Sequence, residues 1–156
     1  MIKDLSIFFK KETLVMGGLG FSAGLPIMLV FSTLSVWLVK AGVERGTVTL
    51  FSWAGFAYSF KFLWSPIVDK FRLPILNQYG HRRSWLFFSQ ILIIISILLA
   101  SLSDPQKNLS FMAISIVLIA FSSATQDIII DAFRIESAPE KKQGPLASMY
   151  LAGYRV

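Results

Sequence analysis

The sequence predicts an all-α membrane protein, a bundle of transmembrane helices, and its hydrophobic patterning carries that prediction. Of the 156 residues, 54% are hydrophobic, and they are gathered in long blocks instead of the short amphipathic stripes of soluble helices. A helix needs about 20 apolar residues to cross the hydrocarbon core of a bilayer. Four blocks approach or exceed that length, at residues 14–39, 48–68, 85–102 and 109–132. We therefore predict about four complete transmembrane helices embedded in the lipid bilayer.

A fifth apolar block, residues 146–156, follows a polar linker at residues 135–145. Gly144 and Pro145 at the end of that linker indicate a break between helices. At 1.5 Å per residue the fifth block makes about 16 Å of helix, which is half a bilayer. The sequence thus predicts the start of a fifth helix. Four complete spans followed by half of a fifth predict the N-terminal part of a longer protein.

The first block is rich in small residues, with Gly17, Gly18, Gly20 and Gly24 followed by Pro26. Gly20 and Gly24 have the GxxxG spacing, which lets a neighbouring helix approach closely. We predict that these glycines form a packing face. The alternative is a flexible, cavity-lining helix. Because 26 residues make a helix longer than a hydrocarbon core of about 30 Å, we also expect a tilt or a kink at Pro26.

Lysine and arginine are distributed unevenly among the connections between the blocks. Ten of them lie in the N-terminal segment and after the second and fourth blocks, against three after the first and third blocks. Connections rich in Lys and Arg stay in the cytoplasm, so we predict a cytoplasmic N-terminus. The same rule accounts for the net charge of +6 without a nucleic-acid partner.

The composition argues against several kinds of site. Without cysteine the chain has no disulfide, thiolate metal site or cysteine nucleophile. The single histidine, His81, and the scattered acids have no metal-ligand spacing. There is also no nucleophile–base pair and no phosphate-binding loop. We predict no enzyme activity, no catalytic residue, no metal and no cofactor.

The most informative charges are two carboxylates, Asp127 and Asp131, near the end of the fourth block. Together with Arg134 they fall at i, i+4 and i+7, within about 40° of one another on one helix face. A charge near the bilayer interior costs at least ~2.5 kcal/mol on insertion scales, so such residues are candidates for proton or substrate pathways. The alternative is that both carboxylates lie at the membrane surface, where Asp131 in particular pairs with Arg134.

A lysine in the second block, Lys61, is expected at the depth of Asp127. The second and fourth spans run in the same direction, and each charge lies about two turns before a charged residue at its own boundary, Asp69 or Arg134. A buried cation and anion at one depth tend to pair, since each alone is costly. The alternative is that Lys61 extends its four-carbon stem to the cytoplasmic headgroups.

The connection between the second and third spans carries Asp69 and then Gly80, Arg82 and Arg83. This pattern resembles the loop signature of the major facilitator superfamily, in which an acidic residue, a glycine and a basic cluster join the second and third helices. Ser65 stands where the family usually has glycine, and several extra residues separate the two halves. An ordinary positive-inside loop is the alternative, and it explains the arginines but not Asp69.

Five short blocks together resemble a narrower family, the AmpG-type muropeptide permeases of the same superfamily. The blocks lie, in the family's order, at residues 20–26, 61–66, 69–74, 126–132 and 150–155. The resemblance implies a major-facilitator-type helix bundle in the bacterial inner membrane that imports anhydro-muropeptides in peptidoglycan recycling, driven by protons. It also implies that residues 1–156 belong to the first six-helix bundle and that further C-terminal helices are needed. Asp127, opposed by Lys61, is then the candidate for proton coupling.

Other functions stay open on the sequence alone. Acetyl-coenzyme A carriers and other major-facilitator carriers share parts of the pattern. A split-gene piece or a non-functional membrane fragment is compatible with the length. A four-span carrier working as a dimer, like the small multidrug exporters, is disfavoured because those exporters place an essential acid in the first span, and residues 14–39 contain none.

Overall fold

The computed structural model describes residues 8–74 and 80–155. Within these ranges the chain forms helices, turns and bends and contains no strand, which confirms the all-α class. Val156, the end of the predicted fifth block, and the middle of the Asp69–Gly80 connection, residues 75–79, lie outside the described residues. We number the helices α1, Lys11–Lys40; α2, the segmented stretch 45–70; α3, His81–Leu102; α4, Leu109–Ser137; and α5, Glu140–Arg155.

Among the described residues, three helices, α1, α3 and α4, are long and apolar enough to cross a membrane. They correspond to the first, third and fourth predicted spans and extend each of them by up to five residues. In α1, Pro26 lies inside the helix and a wide π turn, Leu29–Thr33, follows it. A departure from regular helix geometry therefore follows Pro26. The backbone bond that Pro26 cannot donate is the one to the carbonyl of Ser22, on its N-terminal side, so this missing bond does not by itself explain the π turn.

The second predicted span, 48–68, is helical but is not one continuous α-helix. Five short pieces follow one another: Arg45–Phe51, Ser52–Gly55, Phe56–Phe60, Lys61–Leu63 and Ser65–Lys70, the second and fourth being 3-10 turns. Part of the reason is Pro66, which has no amide hydrogen for the carbonyl of Phe62, four residues earlier. The hydroxyl of Ser65 donates to that carbonyl instead, at 3.2 Å. The serine that stands in place of the expected glycine thus repairs the hydrogen bond that Pro66 removes.

The chain divides into two compact units. The first joins the residues up to Leu25 with those from Ile130 onwards, and the second contains Pro26–Ile129. In the second unit, apolar side chains of α1, α2, α3 and α4 form one core: Val30, Leu34, Leu38, Val48, Ala54, Ala100, Met112, Ile116, Ile119 and Ala120. A smaller cluster of Val68, Ile128 and Ile129 packs with Trp64 and Trp85.

In the first unit, α5 lies against the glycine face of α1. A Cβ atom at Gly20 would collide with the carbonyl of Tyr150, and one at Gly24 with the carbonyl of Tyr154. Gly153 in turn faces the backbone of α1 at Gly17. The contacts advance in the same order along both helices, so α1 and α5 run parallel, as alternating spans require. The predicted packing face exists, and its partner is the fifth helix.

The boundary between α4 and α5 differs from the prediction. The break expected at Gly144–Pro145 is wrong, because α5 begins at Glu140 and continues through both residues. Pro145 leaves only the carbonyl of Lys141 without its helical donor, and Lys141 is exposed, so solvent can supply the bond. The side-chain amide of Gln143 donates to the carbonyls of Arg134 at 3.1 Å and Ala138 at 2.7 Å, which closes the end of α4.

Candidate functional site

Lys61 of α2 and Asp127 of α4 meet in the second unit. The Nζ atom of Lys61 lies 3.9 Å from Oδ2 of Asp127. The two charges therefore attract each other directly, although the distance exceeds that of a charge-assisted hydrogen bond, about 2.8 Å. The Asp127 side chain is 10% exposed and that of Lys61 is 32% exposed. The pair is thus enclosed at its acidic end and open at its basic end.

Asp127 lies in the most enclosed part of the described chain. Every residue from 122 to 130 is buried. Nine residues make about two and a half turns, so α4 is covered on all sides there. Two of its hydroxyls bond to their own helix: Ser122 donates to the carbonyl of Leu118 and Thr125 to that of Phe121. A carboxylate in such surroundings is costly unless a cation or hydrogen-bond donors stabilise it, and the Lys61 ammonium supplies a cation.

The irregular backbone of α2 presents Lys61. The tight turn Lys61–Leu63 lies between Phe60, with φ −95° and ψ 6°, and Trp64, with φ −106° and ψ −2°. Both flanking residues fall in the sparsely populated bridge region of backbone conformation. One of the two 3-10 turns of α2 therefore begins at the residue that faces the buried carboxylate.

A second contact joins the same two helices. The indole Nε1 of Trp64 donates to Oγ1 of Thr125 at 3.1 Å. The Trp64 ring also packs against Phe121, with centroids 4.7 Å apart and an angle of 33° between the planes. Sequence reasoning assigned no role to Trp64 or Thr125. The only available signal was an indole N–H inside an apolar block, which needs a buried acceptor.

The other two charges predicted on α4 belong to the first unit. A guanidinium nitrogen of Arg134 lies 3.4 Å from Oδ1 of Asp131, one turn away on the same helix. Arg134 also lies over the ring of Tyr150 in α5, 6.0 Å from its centroid. The alternative pairing of Asp131 with Arg134 is therefore present. The role of these two residues in proton coupling stays a prediction.

Two of the four residues predicted for the connection between α2 and α3, Asp69 and Arg82, form a further ion pair. A guanidinium nitrogen of Arg82 lies 2.5 Å from Oδ1 of Asp69, which connects the start of α3 to the end of α2. Gly80 has φ +94°, a conformation that side chains disfavour, and its carbonyl accepts the hydroxyl of Ser84 at 2.8 Å. Arg83 is exposed. A conformational role for this loop stays a prediction.

Within the described ranges, no group of three or more His, Cys, Asp or Glu side chains could hold a metal ion. What the arrangement offers is a largely enclosed carboxylate with a partly exposed ammonium beside it, on a stretch of helix whose residues are all buried. Such a group can hold or release a proton and change its attraction for the neighbouring ammonium. Fold and site together define a multi-pass membrane protein with a partly buried ion pair between two of its helices.

Comparison with known proteins places the chain in a family. Residues 13–148 match the family model described as acetyl-coenzyme A transporter 1. Because the match covers most of the chain, this protein belongs to that family.

Individual relatives carry the name of the narrower family. The chain is 38% identical over 152 residues to the anhydromuropeptide permease of Escherichia coli K12, covering 97% of this chain and 30% of that protein. It is 36% identical over 138 residues to a Rickettsia felis protein named "Putative transporter AmpG 4", covering 88% of this chain and 33% of the relative. These relatives confirm the resemblance to the AmpG-type permeases. The chain spans about a third of the length of these relatives, and no solved structure matches it.

Proposed function

We propose that this chain is the first part of a proton-driven carrier that imports anhydro-muropeptides across the bacterial inner membrane during peptidoglycan recycling. The similarity to the anhydromuropeptide permease, which extends over 97% of the chain, supports the substrate class. The observation that carries the proton coupling is the approach of Lys61 to the enclosed Asp127.

In this proposal Asp127 carries the proton. A proton on its carboxylate removes the charge that attracts Lys61, and the ammonium, at the open end of the pair, then moves away. Carriers of this type bind substrate near the bilayer midplane between two helix bundles that rock around the site. The Asp131–Arg134 pair is the remainder of the charge network, and the Asp69–Arg82 pair couples the movement of α2 to that of α3.

A second candidate is an acetyl-coenzyme A carrier, and the description of the matched family favours it. The two substrates differ in chemistry, since coenzyme A carries phosphates and a muropeptide carries sugars and a peptide. A membrane fragment without transport activity of its own is the third candidate.

Uptake into vesicles tests the proposal. The vesicles contain a chimera in which residues 1–156 replace the matching part of the Escherichia coli permease. We expect the chimera to take up labelled anhydro-muropeptide, and a proton ionophore to abolish the uptake. The 156-residue chain alone is expected not to transport, because alternating access needs two bundles.

Three results would contradict parts of this expectation. Uptake of acetyl-coenzyme A in place of the muropeptide would establish the second candidate. Muropeptide uptake that ignores the ionophore would remove the role of Asp127 as proton carrier. Ionophore-sensitive uptake by the 156-residue chain itself would revive a carrier assembled from copies of this chain.

The proposed orientation, with the N-terminus in the cytoplasm, has its own test. Cysteine replaces exposed residues at opposite ends of α3, at Arg83 and at Lys107 just beyond it, and the native chain contains no competing cysteine. In intact cells a membrane-impermeant thiol reagent is expected to label Lys107→Cys and to leave Arg83→Cys unlabelled until the cells are opened. The reverse pattern would show that the protein is inserted the other way round.

A further inference from the structure

The long, flexible side chain of Lys61 does not by itself set its own position beside Asp127. Its four-carbon stem has many rotamers, and at 3.9 Å it makes no short hydrogen bond to the carboxylate. The backbone that carries it is also irregular, because the turn Lys61–Leu63 is flanked by residues in the bridge region. A more rigid contact between α2 and α4, close to Lys61 in the chain, would fix this segment better.

Trp64 makes that contact. An indole has only two rotatable side-chain bonds, so a packed Trp fixes the backbone to which it belongs far better than a lysine does. Its ring lies on Phe121, and its N–H points at Thr125. Since the Thr125 hydroxyl gives its single hydrogen to the carbonyl of Phe121 at 2.8 Å, it can only accept from the indole. The direction of the bond is therefore defined: the indole donates and the hydroxyl accepts.

The two contacts hold α4 on different sides. Thr125 and Asp127 are two residues apart on a helix, so their side chains project about 200° from each other around its axis. Apolar packing also joins the two helices, for example Val68 against Ile128 and Ile129. The bond from Trp64 to Thr125 adds a directional contact that opposes rotation of α4 relative to the turn that carries Lys61.

We infer that Trp64 and Thr125 are positioning residues, a clamp that holds the Lys61 segment of α2 at Asp127. A role of this clamp in the transport cycle rests on the proposed function, in which the clamp would determine when Lys61 and Asp127 approach each other. The existence of the clamp itself does not need transport, and its test uses none.

The test is a double-mutant cycle on the purified chain in detergent. It measures the coupling between Lys61→Met and Asp127→Asn, that is, how far the effect of one substitution on the unfolding equilibrium constant changes when the other is present. This coupling is determined in the native background and again with Trp64→Phe, which keeps an aromatic ring against Phe121 but removes the N–H. We expect the coupling to fall roughly tenfold in the unfolding equilibrium constant, within the range for residues in direct contact. A merely structural role would lower overall stability and leave the coupling as it was.

A matched control is available on α3. Trp85 also donates its indole N–H to a neighbouring segment, to the carbonyl of Phe71 at 2.8 Å. Trp85→Phe removes a bond of the same kind away from the pair and is expected to leave the coupling unchanged. Should the Trp64 variant not fold, Thr125→Val replaces it, with Thr125→Ser as the conservative variant that restores the hydroxyl and the coupling. Unchanged coupling in Trp64→Phe or Thr125→Val, or an equal loss in Trp85→Phe, would overturn the clamp.

Discussion

Replacing Gly20 by alanine is expected to force α5 away from α1 and to destabilise the protein, because the added methyl group would overlap the backbone carbonyl of Tyr150. A flexible side chain could move aside, but a helix backbone cannot move without shifting the whole helix. Overpacking of this kind typically costs about 1–3 kcal/mol. The measurement is the unfolding midpoint of the purified chain in detergent.

Gly18 supplies the matched control for this substitution. It lies two residues away on the same helix, is exposed, and has nothing within 4 Å of an added Cβ. Gly18→Ala is expected to be neutral or to stabilise α1 by up to about 1 kcal/mol, because alanine favours helix more than glycine does. Equal effects of Gly18→Ala and Gly20→Ala would mean that the glycine face does not hold α5.

Neutralising one member of the Lys61–Asp127 pair is expected to destabilise the protein more than neutralising both. Removal of one partner from a fully buried pair costs about 3–5 kcal/mol, and the partial exposure of Lys61 makes that range an upper bound for this pair. Lys61→Met should have the larger effect, since it takes the cation away from the enclosed carboxylate, whereas Asp127→Asn leaves an ammonium that is already 32% exposed. The double variant should recover much of the lost stability. Denaturant titration of the four forms in detergent measures the coupling.

The pair of Lys107 with Asp104 is the control for this second prediction. Its Nζ–Oδ2 distance is 3.5 Å, shorter than in the Lys61–Asp127 pair, but the Lys107 side chain is 84% exposed. Exposed pairs contribute about 0–1 kcal/mol, so Lys107→Met and Asp104→Asn should have little effect. If the double variant at Lys61 and Asp127 is no more stable than the worse of its single variants, the two residues are not energetically paired.

The helices of spanning length could be predicted from the sequence because hydrophobicity adds up residue by residue along the chain. Residues 14–39, 85–102 and 109–132 each lie inside one long helix of the structure. The expected proximity of Lys61 and Asp127 followed from similar reasoning, since equal distances from the span ends place two residues at one depth. Asp69 and Arg82 were predicted as members of one loop signature, but their ion pair was not predicted.

What the sequence did not predict depends on contacts between residues far apart in the chain. The pattern of Gly17, Gly20 and Gly24 predicted a packing face, but nothing in it named the backbone of α5 as the partner. The bond from Trp64 to Thr125 joins residues 61 positions apart, and no local signal connects them. Such pairs depend on how two helices are rotated against each other, which hydropathy along the chain does not encode.

Backbone irregularity is the other property that depends on three-dimensional surroundings. Two prolines with similar sequence signals had different outcomes: Pro66 lies in a segmented helix, whereas α5 continues through Pro145. A proline removes one hydrogen bond and adds a steric clash in either place. Whether the helix breaks depends on what replaces the lost bond and on what the flanking residues pack against. The amino-acid sequence therefore sets which segments are long and apolar enough to cross a membrane and which charges share a depth, while the surroundings of each helix set its shape and its partners.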